Sequence, residues 1–280
     1  MKKIIKRIFI KYFSEALKRY YFKSLSKFNW QNFDQFNFEP ELLITEEILK
    51  QDNKAVFFDV GANKGEYIFI AEKFLPKENI HAFEPNPNLF YKLKYIFKKS
   101  KINNLAISNN NGEADLKVPF LNNIEDDSLG TLNINAKEKD ETHAEFFKIK
   151  TQTIDRYCFN YNVHRIDCIK IDVEGFELLV LEGAKQSIKV HQPILIIEIE
   201  KRHHDNKPVL EIIESIIDNY SSSRKYKVYY FDYIKRKLEH LINEPSQEIK
   251  DHGTKNYVNN FVFIPEDHPF YLQVENIKLL

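Results

Sequence analysis

Between residues 55 and 199 short apolar runs alternate with longer stretches of helical spacing, and this rhythm constrains the fold more than any other feature. "AVFFDV" (55–60), "NIHAFEP" (79–85), "INNLAIS" (102–108), "DCIKIDV" (167–173) and "PILIIEI" (193–199) read as strands. The first is followed by a helical stretch to about Leu75, stopped by Pro76. The second is followed by "NPNLFYKLKYIFKK", entered at Pro87, a favoured first-turn residue. Helices are also expected near 153–162, over "FELLVLEGAKQSI", and from about Pro208 to Tyr220. "YKVYYFD" and "NNFVFIP" close the pattern as strands, joined by a connection holding only a short helix pattern. Strands that alternate with helices pair in parallel through right-handed crossovers, which predicts an open α/β sheet.

Two regions stand outside the rhythm. Residues 109–152 are polar, with "NNNGEADLKV" hairpin-like and "FFKIKTQ" strand-like, separated by a long stretch without periodicity. Loops of that length in compact domains are functional or disordered; the Asn, Asp, Ser and Glu side chains over 119–145 suit either a carbohydrate ligand or plain solvation. Residues 1–27 carry nine Lys or Arg against Glu15 alone, which leaves the remainder at −8 in a chain of zero net charge. Ile4, Ile5, Ile8, Phe9, Phe13 and Leu17 recur at helical spacing among those cations. Two readings of this amphipathic helix stay open: packing on the domain or self-association into a homo-oligomer, and peripheral contact with an anionic membrane surface. The expected organisation is a helical N-terminal extension over 1–50 and one α/β domain over 51–280, with 109–152 inserted between its third and fourth core strands.

Neutral charge without a basic aromatic patch argues against a nucleic-acid partner. Cys158 and Cys168 make neither a disulfide framework nor a metal knuckle. No apolar run is long enough to span a bilayer, and "IIKRIFIKYF" lacks a signal-peptide cleavage site. A reducing cytoplasm is the expected setting, with the inner membrane surface as the variant that the basic leader allows.

The first strand runs into Asp59-Val60-Gly61-Ala62-Asn63-Lys64-Gly65, two of the chain's seven glycines four residues apart. Gly61 suits a tight turn, and Gly65 suits close approach of helix and ligand. A dinucleotide fingerprint needs G-x-G-x-x-G, which is absent, and Asp59 at the mouth repels a pyrophosphate while suiting an ammonium group. Glu84 ends the second strand 19 residues beyond Gly65, where an acid accepts from both hydroxyls of a ribose. Ammonium, nucleoside and ribose together describe S-adenosylmethionine.

"FFDVGANKGEY", "AFEPNPNLF", "NLAIS", "TQTIDRY", "IKIDVEGFELLVLEGA", "PILIIEIE" and "NNFVFIP" resemble, in this order, the blocks of the FkbM-type S-adenosylmethionine-dependent methyltransferases. The resemblance covers 55–200 well and does not reach residues 1–40 or the insert at 119–145. It implies a Rossmann-like seven-stranded class I methyltransferase sheet of order 3-2-1-4-5-7-6 with the last strand antiparallel. It also implies that Asp59, Gly61, Asn63, Gly65 and Glu84 contact the cofactor, with Ala106 and Ser108 near the adenine edge. The acid that often stands beside adenine in the family is missing here.

Transfer of a methyl group to an alkyl or sugar hydroxyl needs alignment and a group to take the proton. Asp172 and Glu174 in "KIDVEGFE" end the fourth core strand, opposite the first across the switch point. Like charges there push their pKa values apart, so one could be base while the other orients the acceptor. The alternative for Glu174 and Glu177 is plain stabilisation of a helix N-terminus. Glu198 and Glu200 follow on the next strand, His203 and His204 in its loop, and His143 in the insert is a weaker candidate. A divalent ion on Asp172 and Glu198 is conceivable, but the spacing demands none, so no metal is expected. The reading is a hydroxyl-directed O-methyltransferase acting on a small-molecule or glycan acceptor, most readily a sugar in a surface glycan or its precursor. A secondary-metabolite hydroxyl, a non-catalytic sugar-binding relative and a nicotinamide-dependent oxidoreductase are the alternatives.

Overall fold

The computed structural model describes residues 14–122, 124–125, 130–135, 140–248 and 257–270. Strands β1 (Phe57–Val60), β2 (Ile80–Phe83), β3 (Lys101–Asn103) and β4 (Ala106–Ile107) come first, and the insert contributes β5 (Gly112–Leu121), β6 (Ile124–Glu125) and β7 (Glu141–Gln152). The remaining strands are β8 (Cys168–Ile171), β9 (Ile194–Glu198), β10 (Tyr226–Asp232), β11 (Lys237–His240) and β12 (Asn260–Pro265). The main sheet runs β11-β10-β12-β9-β8-β1-β2-β3, with β12 antiparallel to both neighbours and β1, β2, β3, β8 and β9 mutually parallel. The α/β class expected from the alternation is therefore present. The main sheet has eight strands where seven were expected, because β10 turns back into β11 at the edge instead of entering a helix.

Each of β1, β2 and β8 is buried along its whole length, as expected for strands covered on both faces. On one face Phe57, Ile194, Ile196 and Val262 pack with Ile68 and Ile70 of helix Glu66–Ala71 and with Leu42 and Ile48 of helix Glu41–Leu49. On the other Phe58, Val60, Ile169 and Ile171 meet Val180, Leu181 and Ile188 and, from helix Val209–Tyr220, Ile212 and Ile216. Burying a side chain the size of Phe58 completely contributes about 2–3 kcal/mol.

Three local expectations are corrected. The run 102–108 is two strands: β3 stays on the main sheet, while β4 joins a second sheet of order β4-β7-β5-β6. "FELLVLEGAKQSI" is two helices, Glu177–Gly183 and Lys185–His191, because the Asp155 carboxylate accepts from the Gln186 N–H (3.0 Å) and Ser187 N–H (2.8 Å) and caps the second one. The polar insert forms a long antiparallel pair, β5 with β7.

The amphipathic helix expected over residues 4–17 lies mostly outside the described residues; helix Ser14–Tyr21 is its described end. The segment after this helix packs against the domain. Phe22 stacks on Phe69 with ring centroids 4.7 Å apart, and Phe22, Leu25, Phe28 and Phe33 join the core of the β1 face.

Candidate active site

A cavity of about 420 Å³ opens at the carboxyl ends of β1, β2, β8 and β9, the switch point of the sheet. The turn after β1 forms its floor. Gly61 sits at φ +84° and a Cβ there would lie 1.8 Å from the Asp172 carbonyl oxygen, so this glycine lets β1 and the end of β8 approach. Gly65, at φ +87°, serves a different contact: its Cβ would lie 2.6 Å from Leu93 Cδ2 and 2.7 Å from Phe97 Cε2. It seats one helix on another and is not on the cavity wall. Between them Asn63 takes φ +45° and its N–H donates to Glu84 Oε2 at 2.8 Å, while the Asn86 N–H donates to Glu84 Oε1 at 2.7 Å. Glu84 thus ties the glycine turn to the end of β2 and lines the cavity with Gly61 and Asn63.

Opposite stands a row of polar side chains on the face of the sheet that carries Phe57 and Ile196. Asp59 is in register with Lys170, two residues further on and just past the end of β8 comes Asp172 on the same face, and Glu198 in turn stands across from Asn260. Lys170 Nζ lies 3.2 Å from Asp172 Oδ2 and 5.2 Å from the centre of the Tyr67 ring. The Tyr67 hydroxyl donates to Glu39 Oε2 at 3.1 Å. Asp172, Glu174 and Glu198 each offer a carboxylate oxygen within 4.8 Å of the others, and all three line the cavity. Glu174 takes φ +51°, a strained geometry for a residue with a Cβ, and this turn aims its carboxylate inward. Of Glu174 and Glu177, for which stabilisation of a helix N-terminus was the alternative, Glu177 stands in the first turn of the helix, and its Oε1 accepts from the Gly175 N–H at 3.0 Å and the Val173 N–H at 3.3 Å in the preceding turn.

Burial and mutual repulsion divide these acids. Burial would raise Asp172, but Lys170 and a hydrogen bond from Glu198 hold it below the usual range. Burial and the neighbouring Asp172 push Glu198 far up and Glu174 to about 8. Burial lifts Asp59 to about 7 against the opposing field of Lys170. Burial likewise raises Glu39, again with Lys170 opposing. Asp172 is therefore the ionised member at neutral pH, and Glu174 and Glu198 retain their protons.

The expected site residues fall into two groups. Gly61, Asn63, Glu84, Ala106, Asp172, Glu174 and Glu198 line one cavity. Asp59, Gly65, Ser108 and His203 do not. Asp59 is 1% exposed beneath the floor; Ser108 is turned to the Gly183 helix, its carbonyl 2.1 Å from where a Gly183 Cβ would stand. His203 Nε2 lies 3.8 Å from Glu174 Oε2, behind the wall, and burial lowers its pKa, so it is neutral beside that acid. Two walls escaped the sequence reading. Asn37, Phe38 and Glu39 close one side from the N-terminal segment, and Leu116, Gly130 and Leu132 close another from the insert, where the Thr131 hydroxyl donates to the Glu174 carbonyl at 3.1 Å. Lys170 had a readable signal: a cation amid "CIKIDV", a run otherwise fit for complete burial, needs a buried partner.

Residues 59–239 match the family profile described as the Methyltransferase FkbM domain. Among characterised proteins, the hexuronic acid methyltransferase AglP of Haloferax volcanii is 28% identical over 147 residues, 52% of this chain and 56% of that protein. The chain thus matches little more than half the length of this relative. Among solved structures, the methyltransferase FkbM of Methylobacillus flagellatus KT is 15% identical with a TM-score of 0.45, covering 75% of this chain and 44% of that one. A precorrin-6y C5,15-methyltransferase of Geobacter metallireducens GS-15 is 10% identical with a TM-score of 0.38, covering 81% of this chain and 89% of the other. The profile spans more than half the chain and runs from Asp59 in β1 to the edge strand β11: the chain belongs to the FkbM methyltransferase domain family.

Proposed function

We propose that the chain is an S-adenosylmethionine-dependent O-methyltransferase whose acceptor is a sugar hydroxyl of a surface glycan or its precursor. The observation that carries this reading is the division of one cavity into two chemistries. On one side Glu84, Gly61 and Asn63 form a cradle for a nucleoside; on the other Asp172, Glu174 and Glu198 form an acidic end. The residues fit the cofactor on a further count: two backbone N–H groups hold the Glu84 carboxylate beside Gly61 and Asn63, an acceptor placed for the hydroxyls of a ribose. When bound, S-adenosylmethionine supplies a methyl group on positive sulfur, open to in-line displacement.

The rest of the work falls to the chain's own side chains. Glu84, fixed by two backbone bonds, offers its carboxylate to the ribose hydroxyls. Phe38, Leu116 and Leu132 exclude water from the space between the two ends. Asp172, ionised and braced by Lys170, takes the hydroxyl proton. A carboxylate is a weak base, but the proton becomes strongly acidic as the new carbon–oxygen bond forms, so late transfer suffices. Protonated Glu174 can donate to an acceptor oxygen, while the Glu198 proton is shared with Asp172. The name of the relative AglP, a hexuronic acid methyltransferase, supports a sugar acceptor. Among the described residues no helix is long and apolar enough to cross a membrane.

Isothermal titration with S-adenosylmethionine and S-adenosylhomocysteine tests the cofactor half. Micromolar binding is expected, weakened at least about tenfold by Glu84→Gln, the loss of a charge-assisted hydrogen bond. Absence of binding by the intact chain would refute the reading. Transfer of labelled methyl groups to free hexoses and nucleotide sugars tests the acceptor half.

A further inference from the structure

From Asp172, Glu174 and Glu198, we infer a binding site for one hard divalent cation, of the Mg²⁺, Mn²⁺ and Ca²⁺ class, at the acidic end of the cavity. Two oxygens on one ion stand no further apart than twice the metal–oxygen distance, from about 4 Å for Mg²⁺ to about 5 Å for Ca²⁺. The three carboxylates present oxygens within 4.8 Å of one another, so a single ion reaches all of them with little movement. They come from the ends of two paired parallel strands and the strained turn after one of them, a rigid support that flexible surface acids lack. All-oxygen donors select hard cations over zinc or copper.

A second observation points the same way. Asn260, 5% exposed, stands directly across from Glu198 on β12, on the same face of the sheet, and its Oδ1 has no hydrogen-bond donor. Side chains so paired have Cβ atoms about 5 Å apart. Buried polar atoms in native proteins almost always find partners. Asn260 Oδ1 is an orphan acceptor beside Glu198, which is what a missing cation with its bound waters leaves behind. Lys170 supplies one positive charge, bound to Asp172 Oδ2, and the other Asp172 oxygen remains for an ion.

The site opens into the cavity, so an ion held by three protein oxygens keeps coordination positions for water or for two neighbouring hydroxyls of a polyol. Binding would displace the protons held by Glu174 and Glu198, and the ion would then orient the acceptor and acidify its hydroxyl. This functional consequence rests on the methyltransferase reading; the ion site itself does not.

The test is Mn²⁺ titration of the EDTA-treated full-length chain, without cofactor, followed by electron paramagnetic resonance of the free ion. One Mn²⁺ per chain is expected, displaced by Mg²⁺ or Ca²⁺. Affinity should fall at least about tenfold in Glu198→Gln and in Glu174→Gln, each checked for folding by circular dichroism. The exposed pair Glu211→Gln/Glu214→Gln should leave it unaltered. No saturable binding up to about 1 mM, the weak end of natural calcium sites, overturns the inference. So does unchanged affinity in folded Glu174→Gln or Glu198→Gln. Titration of the same samples with S-adenosylmethionine separates the two readings, because either ligand can bind while the other fails.

Discussion

Replacing Lys170 by Met removes the buried cation of the carboxylate row while nearly preserving volume. The side chain is 1% exposed, in register with Asp59 and 3.2 Å from Asp172. Taking one partner from a buried pair costs about 3–5 kcal/mol, because the other charge stays behind unpaired. Part of this loss can be recovered by proton uptake, so the cost depends on pH. A carboxyl whose folded pKa exceeds its unfolded value binds more protons when folded, so its contribution falls as pH rises between the two values. For Asp59 the window already runs from 3.8 to about 7 with Lys170 present. Without that cation Asp59, Glu39 and Glu198 all rise further, since its field lowers each of them. Asp172 also loses the partner that holds it low, and with it stability that is present above pH 3.8. The Lys170→Met loss should therefore be the full 3–5 kcal/mol at pH 8 and shrink to about 1–2 kcal/mol at pH 5, at about 1.4 kcal/mol per pKa unit shifted. Urea unfolding of both proteins in EDTA at pH 5, 6.5 and 8, at fixed ionic strength, measures it. Equal losses at pH 5 and pH 8, or a variant more stable than the parent at pH 8, would refute the electrostatic account of the row.

Two further substitutions probe the walls of the site. Gly61→Ala puts a Cβ 1.8 Å from the Asp172 carbonyl at positive φ, so the chain should lose more than about 3 kcal/mol or fail to fold; Gly112→Ala, with its nearest contact 3.8 Å away, should change the unfolding midpoint little. Tyr67→Phe removes the hydroxyl that donates to part-buried Glu39 and should cost about 1–3 kcal/mol at pH 8, where Glu39 loses its proton most readily, with a smaller loss at pH 5. A Tyr67→Phe loss that is larger at pH 5 would show that Glu39 is not the partner that matters.

The strand and helix alternation from residue 55 to 199 determined the α/β class and the position of the cavity. Local pattern is enough for this: a buried parallel strand is a short apolar run, and crossover handedness leaves few topologies. Asp172, Glu174 and Glu198 were legible because each ends such a run, where an open sheet places its ligand. Other features were not legible because they depend on contacts between residues far apart in sequence. Gly65 looked like a ligand glycine, and its need for a bare α-carbon comes from Leu93 and Phe97, on a helix whose packing angle no local pattern encodes. Ser108 shared a run with β3, but only the pairing of β4 with β7 shows that it leaves the main sheet and turns towards Gly183. Glu39 lies before a helix in a segment read as an extension, and tertiary packing alone brings it to Tyr67, 28 residues on. The division of protons among the acids was decided by the fold as well. A carboxyl's charge state depends on burial and on the charges facing it, and here those are set by strand register, which places Lys170 beside Asp59 and close to Asp172.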